Sequence, residues 1–148
     1  ILKTMIRHRE RLRVIRRMDH LKDRADERPF CMVISVEPPH DPFVAPEYVQ
    51  SAWEARDITL PDNFDVSDPD QRATFVLNRK RYNAMVENLD SNVGKMMAFL
   101  EAEGLLDDTV VVFMSDHGEL AGAHGLRAKQ WPYEESVGVP LSGLGSAC

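Results

Sequence analysis

Thr109-Val110-Val111-Val112-Phe113-Met114-Ser115-Asp116-His117-Gly118-Glu119 is the stretch that decides how this 148-residue chain reads. Its first six residues are continuous in β-branched and apolar side chains, as expected for a parallel strand covered on both faces. Its last five place ionisable groups and a glycine directly after that strand. In parallel sheets ligands gather beyond the carboxyl ends of the strands, so the segment predicts a strand that feeds a functional loop.

Upstream of it, Tyr82, Met85, Leu89, Val93, Met96 and Leu100 recur at spacings of three and four, and Gly104 stands where a helix C-cap belongs. The methionines on that stripe read as packing rather than as a cofactor site. Residues 41–70 are polar and punctuated by Pro42, Pro46, Pro61 and Pro69, which predicts a long surface loop. Before it, Phe30-Cys31-Met32-Val33-Ile34-Ser35-Val36 reads as a second buried strand, with Cys31 a small buried hydrophobe. Pro38-Pro39 ends that strand, so His40 belongs on the loop leaving its carboxyl end.

Residues 1–28 carry ten Lys/Arg against five Asp/Glu, while the whole chain has a net charge of -6. Val14, Ile15, Met18, Leu21 and Ala25 form an apolar stripe through this basic segment, which predicts an amphipathic helix on a core with its charges in water. A nucleic-acid surface is disfavoured, because aromatic stacking residues and glycine-rich contact loops are missing there. The order helix, strand, long loop, helix, strand predicts an α/β fold with a mainly parallel sheet and helices on its faces. No apolar run approaches the roughly 20 residues needed to cross a bilayer, and no signal-peptide pattern is visible, so a soluble protein is expected. Two cysteines, Cys31 and Cys148, make neither a disulfide framework nor a metal knuckle.

Asp116 and His117 are adjacent oxygen and nitrogen donors, and Gly118 permits the sharp turn that would let both reach one cation. Taken alone, Asp-His-Gly is a weak signal, and its default reading is an Asp capping a turn beside a partly exposed His. The wider run carries more. Val112 to Glu119, Gly122-Ala123-His124-Gly125, Lys129, Pro132-Tyr133-Glu134-Glu135-Ser136 and Val139-Pro140-Leu141 resemble the C-terminal active-site segment of the sulfatase family, within the alkaline-phosphatase superfamily. Tyr82-Asn83-Ala84-Met85, Leu89-Asp90, Val93-Gly94, Asp107-Asp108-Thr109 and Pro38-Pro39-His40-Asp41-Pro42-Phe43 are similar to that family in order and spacing. The likeness runs from about Val14 to Leu141.

That resemblance implies part of an alkaline-phosphatase-like three-layer α/β/α sandwich and a sulfuric ester hydrolase. It implies Asp116 and His117 as ligands of a divalent cation, calcium first and manganese second. Many sulfatases have Asn where His117 stands, and a nitrogen ligand tilts the choice away from a purely oxygen-liking ion. Lys129 would hold a sulfate or phosphate oxygen, His40 would reach the ester from the neighbouring strand end, and His124 would line the pocket. The implied partner is a sulfate or phosphate ester of small size.

The family also uses a Cys or Ser inside a Cys/Ser-x-Pro-x-Arg motif and an early acidic pair, and neither stands in this sequence. Residues 1–141 are therefore expected to be the later portion of a catalytic domain, with residues 142–148 a small, turn-like, atypical tail. Such a piece predicts a partner: the remainder of the domain, or a second copy. Rival readings are a phosphonate monoester or phosphodiester hydrolase of the same superfamily, and a non-catalytic module that binds a metal or an anion.

Overall fold

A computed structural model of the chain describes residues 18–23 and 28–145. Among the described residues from 28 onward, six elements follow one another: α1 (Glu47–Glu54), α2 (Pro69–Ala102), β1 (Val111–Met114), a 3-10 turn (Ala123–Gly125), α3 (Glu134–Val137) and β2 (Leu141–Leu144). Most of the expected basic helix lies outside the described residues. Within them, residues 18–22 are helical, Leu21 is buried, and Lys22 Nζ lies 3.9 Å from Glu103 Oε1 at the far end of α2.

The 34-residue α2 is the frame of the molecule, about 50 Å long at the helical rise. It starts where Asp68 caps it: the carboxylate Oδ1 accepts the Gln71 N–H at 2.8 Å, and Pro69 follows at the first helical position. It stops where Gly104 takes φ +66°, with the Leu105 N–H closing on the Leu100 carbonyl at 2.8 Å. Every residue of the expected stripe is turned at least partly inward, with Met85 and Leu100 buried. Removing the cap with Asp68→Ala is expected to cost about 1 kcal/mol in urea unfolding; an unchanged midpoint would show that the cap contributes nothing.

Residues 41–70 contain a helix where a loop was expected. Pro46 opens α1, and the polar surface of Glu47, Gln50, Ser51 and Glu54 hides the buried Val49. Ala45, Val49, Ala84 and Met85 form the core between α1 and α2, with Phe43 and Trp53 packed on it. Polar contacts fasten the pair: Trp53 Nε1 donates to Glu87 at 2.7 Å, Arg81 Nε donates to Glu54 at 2.7 Å, and Lys80 Nζ donates to the Glu54 carbonyl at 3.0 Å. The periodicity of eight residues was masked by prolines on both sides.

Both strand expectations need correction. Residues 29–36 belong to no strand, Phe30 and Val33 are exposed, and Cys31 is exposed rather than buried. The run at 109–114 does form β1, but its partner is β2, antiparallel, with Val111 opposite Leu144 and Met114 opposite Leu141. Among the described residues this is a two-stranded sheet, and no parallel pair occurs. Instead of covered faces, Val112, Met114, Leu141 and Leu144 are more than half exposed. A continuous apolar run signals a strand made to be buried, and says nothing about which strand pairs with it. Of the tail expected to be turn-like, 142–148, residues 142–144 lie in the strand Leu141–Leu144, while residues 146–148 lie outside the description. No helix among the described residues is long and apolar enough to cross a membrane.

Candidate metal- and anion-binding site

The chain leaves β1 at Ser115 and turns at once. Ser115 Oγ donates to the His117 carbonyl at 2.8 Å, and Asp116 Oδ1 accepts the His117 N–H at 3.0 Å. These two bonds fold Asp116 and His117 onto the same short turn, with Asp116 Oδ2 3.8 Å from His117 Nε2. His117 Nδ1 lies 2.8 Å from the Gly118 carbonyl, an acceptor only, an arrangement that suits the tautomer with the proton on Nδ1 and the lone pair on Nε2. That is the tautomer a metal-ligating imidazole needs. Two donors on one cation stand roughly 3 to 5 Å apart given the usual ligand bonds, and the observed spacing falls inside that range. The Asp116–His117 pair thus fits two positions of a divalent-metal shell. It fits no more than two: among the described residues no group of three or more His, Cys, Asp or Glu side chains gathers to hold a metal.

Gly118 allows the turn to sit against α3. Its N–H donates to the Ser136 carbonyl at 2.8 Å, and a Cβ there would stand 2.1 Å from the Glu135 carbonyl oxygen. Ser136 is buried, and its hydroxyl donates to the Lys129 carbonyl at 2.7 Å. One residue of α3 therefore joins the Asp116–His117 turn to the backbone of Lys129. Lys129 is half-buried, and no carboxylate of the described residues forms an ion pair with its ammonium. A cation held without a counter-charge is suited to an anionic ligand.

Between these segments, residues 119–128 form a tight loop. Ala121, Gly122, His124, Gly125 and Ala128 all have positive φ, and Leu120 and Ala123 are buried beneath. His124 stacks on Tyr133, with ring centroids 3.9 Å apart. Its Nε2 lies 3.1 Å from Asn63 Nδ2 and 3.7 Å from Glu135 Oε2. This gives His124 a structural partner set of its own, beside Lys129 in sequence but tied to α3 and to the loop before α2. His40 stands in the turn after residue 36, where its Nδ1 contacts the Asp41 carbonyl at 2.7 Å and Asp41 Oδ1 at 3.1 Å. Its hydrogen bonds stay within that turn: the backbone N–H donates to Glu37.

The structure thus links the backbone of the Asp116–His117 turn to the backbone of Lys129 through Ser136, and leaves His40 and His124 in separate hydrogen-bonded groups. Sequence reasoning gave no role to Asn63, Glu119, Glu135 or Ser136. Their neighbours in the quoted motifs were the available signal, since Glu119 follows Asp-His-Gly and Glu135-Ser136 close the last block.

The Glu135 carboxyl is held below the usual carboxylate range, first by its own backbone N–H, then by the Asn63 amide, with His124 adding a smaller pull. A depressed carboxyl contributes stability that is present above its unfolded value near 4.5 and is lost as pH falls through the lower folded value. Glu135→Gln is therefore expected to flatten the acid limb of the thermal-stability profile below about pH 4.5. Parallel acid limbs in variant and parent would contradict this.

Comparison with known proteins reaches the same segment. The family model described as Sulfatase matches residues 13–141. The choline-sulfatase of Rhizobium meliloti is 31% identical over 142 residues, which cover 80% of this chain and 27% of that enzyme. A multifunctional alkaline phosphatase superfamily protein of Trinickia caryophylli, PehA, is 28% identical over 156 residues, covering 85% of this chain and 30% of that protein. Among solved structures, yidJ of Bacteroides fragilis, assigned to the sulfatases, superposes with a TM-score of 0.77 at 29% identity, over 90% of this chain and 30% of that one. The chain spans less than a third of the length of the curated relatives named here. The matched range takes in the Asp116–His117 turn, Lys129 and Ser136, and by that match this chain belongs to the sulfatase family.

Proposed function

We propose that this chain carries the metal- and sulfate-facing portion of a sulfuric ester hydrolase, with the nucleophile and an acidic pair contributed from outside these 148 residues. The observation that carries the reading is the link of the Asp116–His117 turn to Lys129 through one buried residue, Ser136. Asp116 and His117 would hold a divalent cation, calcium by family and manganese by the imidazole ligand. When bound, such an ion supplies positive charge against the peripheral oxygens of the ester.

The chain's own residues do the rest. Lys129 holds a sulfate oxygen as a point charge that strengthens as negative charge builds in the transition state. His40 reaches the ester from the turn after residue 36 and delivers a proton to the departing alkoxide. His124 lines the approach. Residues 29–36 and 110–114 present apolar side chains to solvent, which supports their completing a mainly parallel sheet inside a three-layer sandwich once the remaining domain is packed on them.

The test is an upstream extension to the length of the relatives, assayed against paired aryl sulfate, phosphodiester and phosphonate esters. Sulfate hydrolysis is expected to dominate, and the 148-residue chain alone is expected to turn over none of them. Turnover by the chain alone that disappears on Asp116→Ala would overturn the external nucleophile. Preferred phosphoester cleavage would instead favour the phosphonate monoester or phosphodiester reading, to which the nitrogen ligand His117 points. An extended protein that binds metal and sulfate but cleaves nothing would favour a non-catalytic module.

A further inference from the structure

Glu119 follows the two candidate ligands directly and, as a carboxylate, invites assignment to the same metal. Its contacts lead elsewhere. Glu119 Oε1 accepts the Ala128 N–H at 2.7 Å and the Ala121 N–H at 3.3 Å, so the carboxylate closes the loop from inside. The Leu120 N–H donates to the Ala128 carbonyl at 3.0 Å, which satisfies the other side of the same residue. Ala128 is the residue before Lys129 and sits at φ +67°, a conformation a non-glycine residue holds only where its surroundings impose it. On the far side, the Lys129 carbonyl accepts the Ser136 hydroxyl. The backbone on both sides of Lys129 is thus fixed by two side chains, Glu119 and Ser136, that both connect to the carboxyl end of the Asp116–His117 turn.

We infer that Glu119 and Ser136 are positioning residues that clamp the Lys129 backbone and aim its ammonium at the anion held beside the Asp116–His117 turn. The inference rests on the proposed function of Lys129. A lysine ammonium is a point charge on a flexible stem, and its usefulness to a bound oxygen depends on where its backbone is anchored. A displacement of about 1 Å in a positioned group costs roughly 100-fold in reactions that depend on it, so two bonds at this anchor matter more than their number suggests. Glu119 is thereby spent on the loop: its Oε1 is already occupied by two backbone donors.

The experiment is a titration of the full chain with inorganic sulfate at constant ionic strength, read by NMR at the Lys129 side chain and at the Ala128 amide. The parent chain is expected to give a saturable response at Lys129. Ser136→Ala and Glu119→Ala are expected to weaken it at least 5-fold, with Ala128 amide protection lost in the latter. Glu119→Gln, which keeps an acceptor oxygen for Ala128, is expected to stay within 2-fold of the parent, as is Ser136→Thr, a rescue that a general loss of folding would not show. Should Glu119→Ala fail to fold, Ser136→Ala carries the same test from the opposite side. The inference is overturned if Ser136→Ala binds sulfate at Lys129 like the parent. If the parent itself gives no response at Lys129, the sulfate reading of that residue falls, and the clamp falls with it.

Discussion

Gly118→Ala is expected to lower the melting temperature by about 10 °C and to abolish the metal and anion responses of the site together. A Cβ at this position meets the Glu135 carbonyl oxygen at 2.1 Å and the Gly138 carbonyl oxygen at 3.0 Å. Both obstacles are main chain, so no side-chain rotation relieves them, and the 115–118 turn and α3 must separate. Separation breaks the Gly118-to-Ser136 hydrogen bond at the point that joins the candidate ligands to Lys129. Overpacking against backbone costs about 3 kcal/mol, and for a chain of this size that corresponds to about 10 °C. Gly94→Ala is the control. Gly94 lies within α2 with open space where the methyl would stand, and there alanine should add about 1 kcal/mol through helix propensity. A Gly118→Ala chain that melts within 2 °C of the parent would refute the packing described for this turn.

Asp116→Ala is expected to reduce manganese affinity at least about 100-fold, more than the 10- to 100-fold typical of losing an outer partner of a metal ligand. Stability should stay within about 0.5 kcal/mol, because the side chain is 86% exposed. Asp116→Asn separates charge from shape: its side-chain oxygen still accepts the His117 N–H while the carboxylate charge is gone. If Asn retains parent affinity, the negative charge of Asp116 contributes nothing to holding the cation. In an upstream-extended protein the same alanine change should lower kcat/KM for an aryl sulfate by at least as large a factor as it lowers affinity. Electron paramagnetic resonance of free manganese and steady-state assays give the two numbers.

What the sequence disclosed was the local, periodic part of the molecule. The stripe from Tyr82 to Leu100 and the glycine after it defined α2, because a helix satisfies its own backbone and its pattern needs no partner. Pairing was different. The apolar run at 109–114 announced a strand, yet its antiparallel neighbour is Leu141–Leu144, whose Ser142 and Gly143 carry little strand propensity and depend on the ladder for their conformation. Phe30–Val36 has the composition of a central strand and finds no strand partner among the described residues, since composition records the environment a segment is built for.

For the site, the motif residues were legible one by one, and the bonds among them were not. Asp116, His117 and Lys129 stood out by residue type, and the structure links the backbone of the turn after His117 to that of Lys129 through Ser136. Ser136 and Glu119 act through a hydroxyl and a carboxylate bonded to distant backbone groups, and no spacing rule reports such bonds. His40 was placed beside the ester by family likeness, and its contacts in the structure are with Glu37 and Asp41.

The proposed function turns on one cation-holding turn, Asp116–His117, sharing its ligand with Lys129. Manganese added to isotope-labelled chain is the decisive probe, because paramagnetic broadening maps distance from the bound ion. Asp116 and His117 signals are expected to disappear first, with Lys129 side-chain signals following within the same titration. Broadening centred on another acidic stretch, such as Asp107–Asp108, with Asp116, His117 and Lys129 left sharp, would contradict the shared site.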